Sequence, residues 1–293
     1  MPILKNLQSS SAFRVGAFAV PFLGAVALGP SQYADAAVLD AHRAVYDIKL
    51  LEAADGSNIS DIKGRMVYEL TGNACEGHNV AVRFILLIQG VSGEKQVTDL
   101  QSTSFEGAKG KSFRFTTKTF VNDFLAEQVE GSAQLGSQAV DVELVEPAQK
   151  SVSLSGDILF PTQHLSSLID AAMSGERFIA ARVYDGSETG EKVFDTASTI
   201  GLQRGLGGAV EGDDKSAVGK IGEDTFWPVT IAYFDPTKDG PQGELLPDYQ
   251  LNFLLHENGV SRSLVLDYGT FKMNGHLVRF EDLTTDECSA SQG

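Results

Sequence analysis

Apolar and polar positions alternate with period two along most of the chain. Ile62, Gly64, Met66, Tyr68 and Leu70 alternate with Lys63, Arg65, Val67 and Glu69, as in a strand with one buried face. Val80, Val82, Phe84, Leu86 and Ile88 continue the pattern; Phe113 and Phe115 alternate with Arg114 and Thr116, and Val140, Val142 and Leu144 with Asp141 and Glu143. Asn258-Gly259 and Asn274-Gly275 each lie between alternating runs and suit two-residue turns that need positive φ. The pattern predicts an all-β fold, a single antiparallel meander of about 14 strands joined by hairpins.

Two segments depart from it. Between Thr162 and Met173, Leu165, Leu168, Ile169 and Ala172 recur at helical spacing, with Thr162 placed to cap the start and Gly175 just past the end. One amphipathic helix in a β-meander is expected to pack against the apolar face of a curved sheet, either plugging it or covering part of it. From Gly201 to Asp224 the alternation stops in a glycine-rich stretch carrying Glu211, Asp213 and Asp214, which reads as a mobile surface loop, an insertion or a lid.

The N-terminus adds a compartment. Lys5 and Arg14 precede an apolar stretch, Val15 to Leu28, interrupted by Gly16, Pro21 and Gly24. That is short for a bilayer span, which takes about 20 apolar residues. Ala34-Asp35-Ala36 follows as an A-x-A cleavage pattern, so residues 1–36 read as a secretory signal cut between Ala36 and Ala37, and residues 37–293 as one β-barrel-like domain in the periplasm.

A net charge of -16 makes the chain a poor partner for phosphate backbones and for anionic lipid surfaces. Nucleic acid is therefore excluded as a partner, and any membrane association is peripheral at most. The only two cysteines, Cys75 and Cys288, both follow the signal. Two cysteines cannot complete a zinc site and lack Cys-x-x-Cys spacing, so in an oxidising compartment a structural disulfide is expected, closing a loop of about 214 residues.

No catalytic motif emerges. His42, His78, His164, His256 and His276 are scattered without ligand spacing, and there is no G-x-S-x-G elbow or phosphate-binding loop. Asp235, Thr237, Asp239 and Gly240 echo the first half of a calcium loop, but Leu246 stands where the closing Glu belongs, so this reads as a turn and no cofactor or metal is expected. The pattern does supply apolar surface. Phe84, Phe113, Phe115 and Phe253, with Leu86, Leu251, Leu255 and Trp227, are candidates for the concave wall of an open barrel and a groove for an acyl chain or apolar peptide.

Tyr68-Glu69-Leu70-Thr71-Gly72 before Cys75-Glu76-Gly77, then Leu246-Pro247-Asp248-Tyr249, Asn258-Gly259-Val260-Ser261, Leu266-Asp267-Tyr268-Gly269 and finally Cys288 resemble the EipB family of cell-envelope integrity proteins of alphaproteobacteria. The resemblance implies a periplasmic protein with an open, spiral-like β-barrel around one helix, similar to periplasmic lipoprotein carriers, and a Cys75–Cys288 disulfide. It brings no catalytic residue. The function it implies is non-enzymatic maintenance of envelope integrity. Expected partners are a lipid, a lipoprotein or a periplasmic envelope protein, a helical-repeat protein among the candidates. The alternative is a periplasmic hydrolase of an envelope polymer, whose carboxylates the sequence does not locate.

Overall fold

The structure is a computed structural model that describes residues 39–205, 211–222, 225–238 and 246–283. The proposed cleavage site at Ala36 and Ala37, and Cys288, lie outside the described residues.

The first half of the meander comprises β1 (His42–Ala53), β2 (Ile59–Asn73), β3 (Gly77–Gly90) and β4 (Lys95–Gly107). It continues through β5 (Ser112–Val121), β6 (Phe124–Leu135), β7 (Ala139–Glu146) and β8 (Lys150–Ser155). A two-residue strand, β9 (Ile158–Leu159), leads into helix α1 (Pro161–Met173). The second half comprises β10 (Phe178–Val183), β11 (Phe194–Ile200), β12 (Phe226–Phe234), β13 (Tyr249–His256), β14 (Ser261–Asp267) and β15 (Phe271–Asp282). A short helix, α2 (Lys215–Val218), lies between β11 and β12.

All strands join one 15-stranded sheet whose order follows the chain on each side of a β1–β15 pair. First and last strands thus meet in its middle, leaving β8 and β9 as its edges. The sheet curls into a nearly closed barrel with one unsealed seam. Side chains span that seam in place of a ladder: Arg182 Nη1 donates to the Ser155 carbonyl at 2.5 Å. Every pair is antiparallel except β9 with β10.

The period-two pattern sets what faces inward. Along β1, Ala44, Tyr46 and Ile48 are buried, and their register partners Tyr68, Met66 and Gly64 share the face. Leu168 and Ile169 of α1 join this core, so the helix lies against the concave side of the sheet. A second cluster, built on Phe113, Phe115, Val142, Phe160 and Tyr184, closes the side nearer the seam.

Several sequence expectations are corrected. Asn274-Gly275 is not a turn but the interior of β15, where Gly275 is squeezed between neighbours; an added Cβ would sit 3.0 Å from Ile48 Cδ1 and 3.2 Å from Leu264 Cβ. The turn falls earlier, where Gly269 takes φ +78°. Thr162 is inside α1 and does not cap it. The first N–H groups, Thr162 N at 2.9 Å and Gln163 N at 3.2 Å, instead donate to the Glu106 carboxylate on β4. That supplies the negative charge a helix start favours.

The described part of the 201–224 stretch is not a free surface loop. Asp214 N donates to the Leu277 carbonyl at 2.8 Å, and the Asp214 side chain caps α2 through Ala217 N. Asp213, assigned to an acidic patch from sequence, is buried against Arg262 of β14. Ala217 and Ile221 of the same stretch join the core cluster that holds Leu255 and Leu264, and the Ile221 carbonyl accepts from Asn258 Nδ2 at 3.3 Å.

Candidate binding cavity

Helix α1 fills only part of the interior. Beside its N-terminal half, a cavity of about 400 Å³ remains, floored by Pro161, Thr162 and Leu165. That volume lies within the usual range for a small-molecule site, about 300–1,000 Å³.

One wall is aromatic, and strand register builds it. Tyr233 of β12 stands directly opposite Tyr249 of β13, and their rings stack at 4.4 Å between centroids and 14° between planes. Tyr268 follows at 6.1 Å from Tyr249, and Phe271 at 5.0 Å from Tyr268. Phe194 meets the other end edge-on, 6.2 Å from Tyr233. Burial pushes the phenols of Tyr233, Tyr249 and Tyr268 well above their ordinary pKa, with the negative charge of Asp185 adding to the shift at Tyr233 and Tyr249. Across the cavity, burial raises Tyr68 to about 12.

The facing wall mixes hydroxyls with aliphatic groups. Ser102 and Thr117, opposite each other on β4 and β5, bond through their hydroxyls at 2.9 Å. Thr119 lies beside them, with Val80, Val82, Leu100 and Val129 supplying apolar surface.

The β10–β11 connection completes the enclosure. Asp185, Gly186, Ser187 and Glu188 line the cavity, and the Tyr184 hydroxyl ties the connection down by donating to the Gly190 carbonyl at 2.7 Å. Two glycines allow it to pass so close to the sheet. A Cβ on Gly186, where φ is +68°, would fall 2.5 Å from the Phe115 ring, and one on Gly190 would fall 2.7 Å from Leu144. Asp185 Oδ1 accepts from Ser187 N at 2.9 Å, and Glu188 pairs with Lys192. Glu127 on β6 is the third carboxyl in the lining, raised above its ordinary pKa mainly by burial.

The sequence-derived groove residues fall in different places. Phe113 lines the cavity. Phe84, Trp227 and Phe253 are buried in the core cluster that includes α1, and Phe115 lies in the Phe113 cluster. The tyrosine wall and the β10–β11 connection were not identified from sequence. A signal for Tyr249 existed, since it falls on the same alternate positions as Leu251, Phe253 and Leu255.

In the turn after β12, Asp235 pairs with lysine ammonium groups. Asp235 is held well below the ordinary carboxylate range: burial opposes this, but Lys192 at 2.8 Å and the Thr237 N–H and hydroxyl prevail. Among the described residues, no group of three or more His, Cys, Asp or Glu is placed to hold a metal. Nor is any described helix long and apolar enough to cross a membrane.

Residues 33–284 match the EipB-like family. The chain belongs to that family. It is 41% identical over 263 residues, 90% of this chain and 91% of the relative, to the cell envelope integrity protein EipB of Brucella abortus (strain 2308). Its fold is similar to the crystal structure of a β-barrel-like protein containing a domain of unknown function, also from Brucella abortus. The TM-score is 0.77 at 40% identity, covering 86% of this chain and all of the other. The family resemblance drawn from the cysteine and turn motifs is thereby shown, together with the barrel.

Proposed function

We propose that this chain maintains cell-envelope integrity from the periplasm as a non-enzymatic binding protein whose barrel interior holds an apolar ligand. The observation that carries this reading is the cavity of about 400 Å³ left between α1 and the inner face of β2 to β6 and β12 to β14. The name of the Brucella relative, a cell envelope integrity protein, supports the envelope role. A secretory signal ending at Ala36 belongs to the same reading.

The energetics suit an acyl chain. Each methylene removed from water contributes about 0.8 kcal/mol, so about ten buried methylenes supply about 8 kcal/mol before the costs of ordering the ligand. A lipid or the acyl group of a lipoprotein meets this description.

The test is titration of the exported protein with a neutral fluorescent apolar probe. Expected is saturable one-to-one binding that weakens at least tenfold in Val129→Phe and Val82→Trp, two substitutions that fill the cavity from different strands, with each variant's fold checked by its melting curve. Absence of saturable binding, or equal binding by both filled variants, overturns the reading. So does turnover of peptidoglycan fragments by the purified protein, which would establish the hydrolase alternative.

A further inference from the structure

We propose that the ligand is a cationic amphiphile, its ammonium group held between the tyrosine wall and the carboxylates of the β10–β11 connection and its tail running along the aliphatic wall. This deepens the preceding reading and rests on it.

The cavity is charged with one sign. Glu127, Asp185 and Glu188 line it, and no Lys or Arg does so among the described residues. Lys192 neutralises Glu188 from outside the lining, while Asp185 has no cationic partner among the described residues. An anionic headgroup would therefore enter against an uncompensated, half-buried carboxylate, where repulsion is stronger than in open water.

The aromatic wall adds attraction for a cation. Ring faces carry negative potential, and aromatic side chains combined with carboxylates recognise quaternary ammonium groups. Tyr233, Tyr249 and Tyr268 all line this cavity, and Asp185 lies near enough to the first two to raise their phenols. The hydroxyls of Tyr233 and Tyr249 make no hydrogen bond to a described residue, which leaves their oxygen lone pairs for the headgroup, together with the ring surface that their mutual stack does not cover. Val80, Val82, Leu100 and Leu251 give the tail an apolar path.

Three probes with the same twelve-carbon tail test the inference: dodecyltrimethylammonium, dodecyl maltoside and dodecyl sulfate. Each is titrated calorimetrically into the exported protein below its micelle concentration, at low and at high salt. Expected is one-to-one binding of the cation, about tenfold tighter than the neutral probe and tighter still than the anion. This preference should survive high salt and fall to about threefold or less in Asp185→Asn and in Tyr249→Leu, with melting curves confirming folding. Equal binding of cation and neutral probe, or tighter binding of the anion, overturns the charge inference and leaves the apolar reading standing. Binding of several cations per chain that high salt abolishes marks attraction to the acidic surface and also overturns it. Failure of all three probes to bind removes both readings.

Discussion

Arg262 and Asp213 form an ion pair sealed from solvent, with Nη1 3.4 Å from Oδ2 and 1% and 0% of the two side chains exposed. Arg262 Nε also donates to His256 Nε2 at 2.9 Å, and its guanidinium lies 4.7 Å from the centre of the Phe226 ring. Asp213 in turn accepts from the Ser263 hydroxyl at 2.6 Å and from Leu277 N at 2.9 Å. A glycine-rich insertion is thereby clamped where β14 diverges from β15.

Removing one partner leaves the other charge buried. Arg262→Ala or Asp213→Ala should therefore destabilise the fold by about 3–5 kcal/mol. Asp214→Ala, one residue away, loses only the α2 cap and should cost about 1 kcal/mol. Denaturant unfolding of the three variants separates these values. Near-equal losses at positions 213 and 214 would show that the pair contributes nothing special.

How much of this was legible in sequence depends on the distance over which each feature is decided. Strands such as β2 and β3 have one buried face, so their inward residues could be read from local alternation. β9 has two residues and no period to detect, which is one reason the strand count came out near 14 rather than 15. Local spacing places the cap of α1 at Thr162 because the carboxylate that meets the helix start, Glu106, lies 56 residues earlier in the chain. Asp213 looked like part of an acidic surface because its partner Arg262 comes 49 residues later. The cavity is a further step removed. It exists because α1 spans only part of the concave face, and helix placement follows from packing rather than periodicity.

His164 predicts an acid-side weakness. The imidazole is buried on α1, with Nε2 3.5 Å from the Thr196 hydroxyl, and burial lowers its pKa from 6.5 to about 4. The unfolded chain takes up a proton below pH 6.5 while the folded chain resists until about pH 4. Stability from this group is thus complete above pH 6.5 and is lost as pH falls through that window. The loss between pH 7 and pH 5 should be about 2 kcal/mol. His42 shifts the same way through burial, and Glu106, raised by burial, acts in the opposite sense. Comparing His164→Leu with the parent isolates the one contribution: unfolding free energies measured at both pH values should show a smaller loss in the variant, and an equal loss would count against the assignment.

Gly186 should resist any substitution. Its φ of +68° disfavours a side chain, and the added Cβ would overlap the Phe115 ring at 2.5 Å. Gly186→Ala is expected to cost about 2–3 kcal/mol, combining backbone strain with overpacking. Because Gly186 lies in the cavity wall, the same substitution should also weaken the neutral apolar probe. Gly175→Ala offers the comparison, since φ is +81° there but no atom lies within 4 Å of the added carbon. It should cost about 1 kcal/mol and leave probe binding unchanged. Equal effects at the two positions would mean that contact with Phe115 is immaterial.

The remaining prediction concerns Cys75 and Cys288. His42 of β1 is in register with Leu70 on one side and Asp282 on the other. Leu70 and Asp282 are therefore two strand spacings apart, about 10 Å. Cys75 follows Leu70 by five residues, in the turn after β2, and Cys288 follows Asp282 by six. The last residues of β2 and β15 lie at the same end of the barrel, and five and six residues are long enough to span the gap between them. A Cys75–Cys288 bridge should then fasten the final strand across β1 to β2 and contribute about 2–4 kcal/mol, less if the reduced chain retains structure. Thiol titration of the unreduced, denatured protein is expected to find no free thiol, and Cys75→Ser and Cys288→Ser should lower the melting temperature equally, with the double variant no worse than either. Two titratable thiols, or additive losses in the double variant, would show that the cysteines act separately.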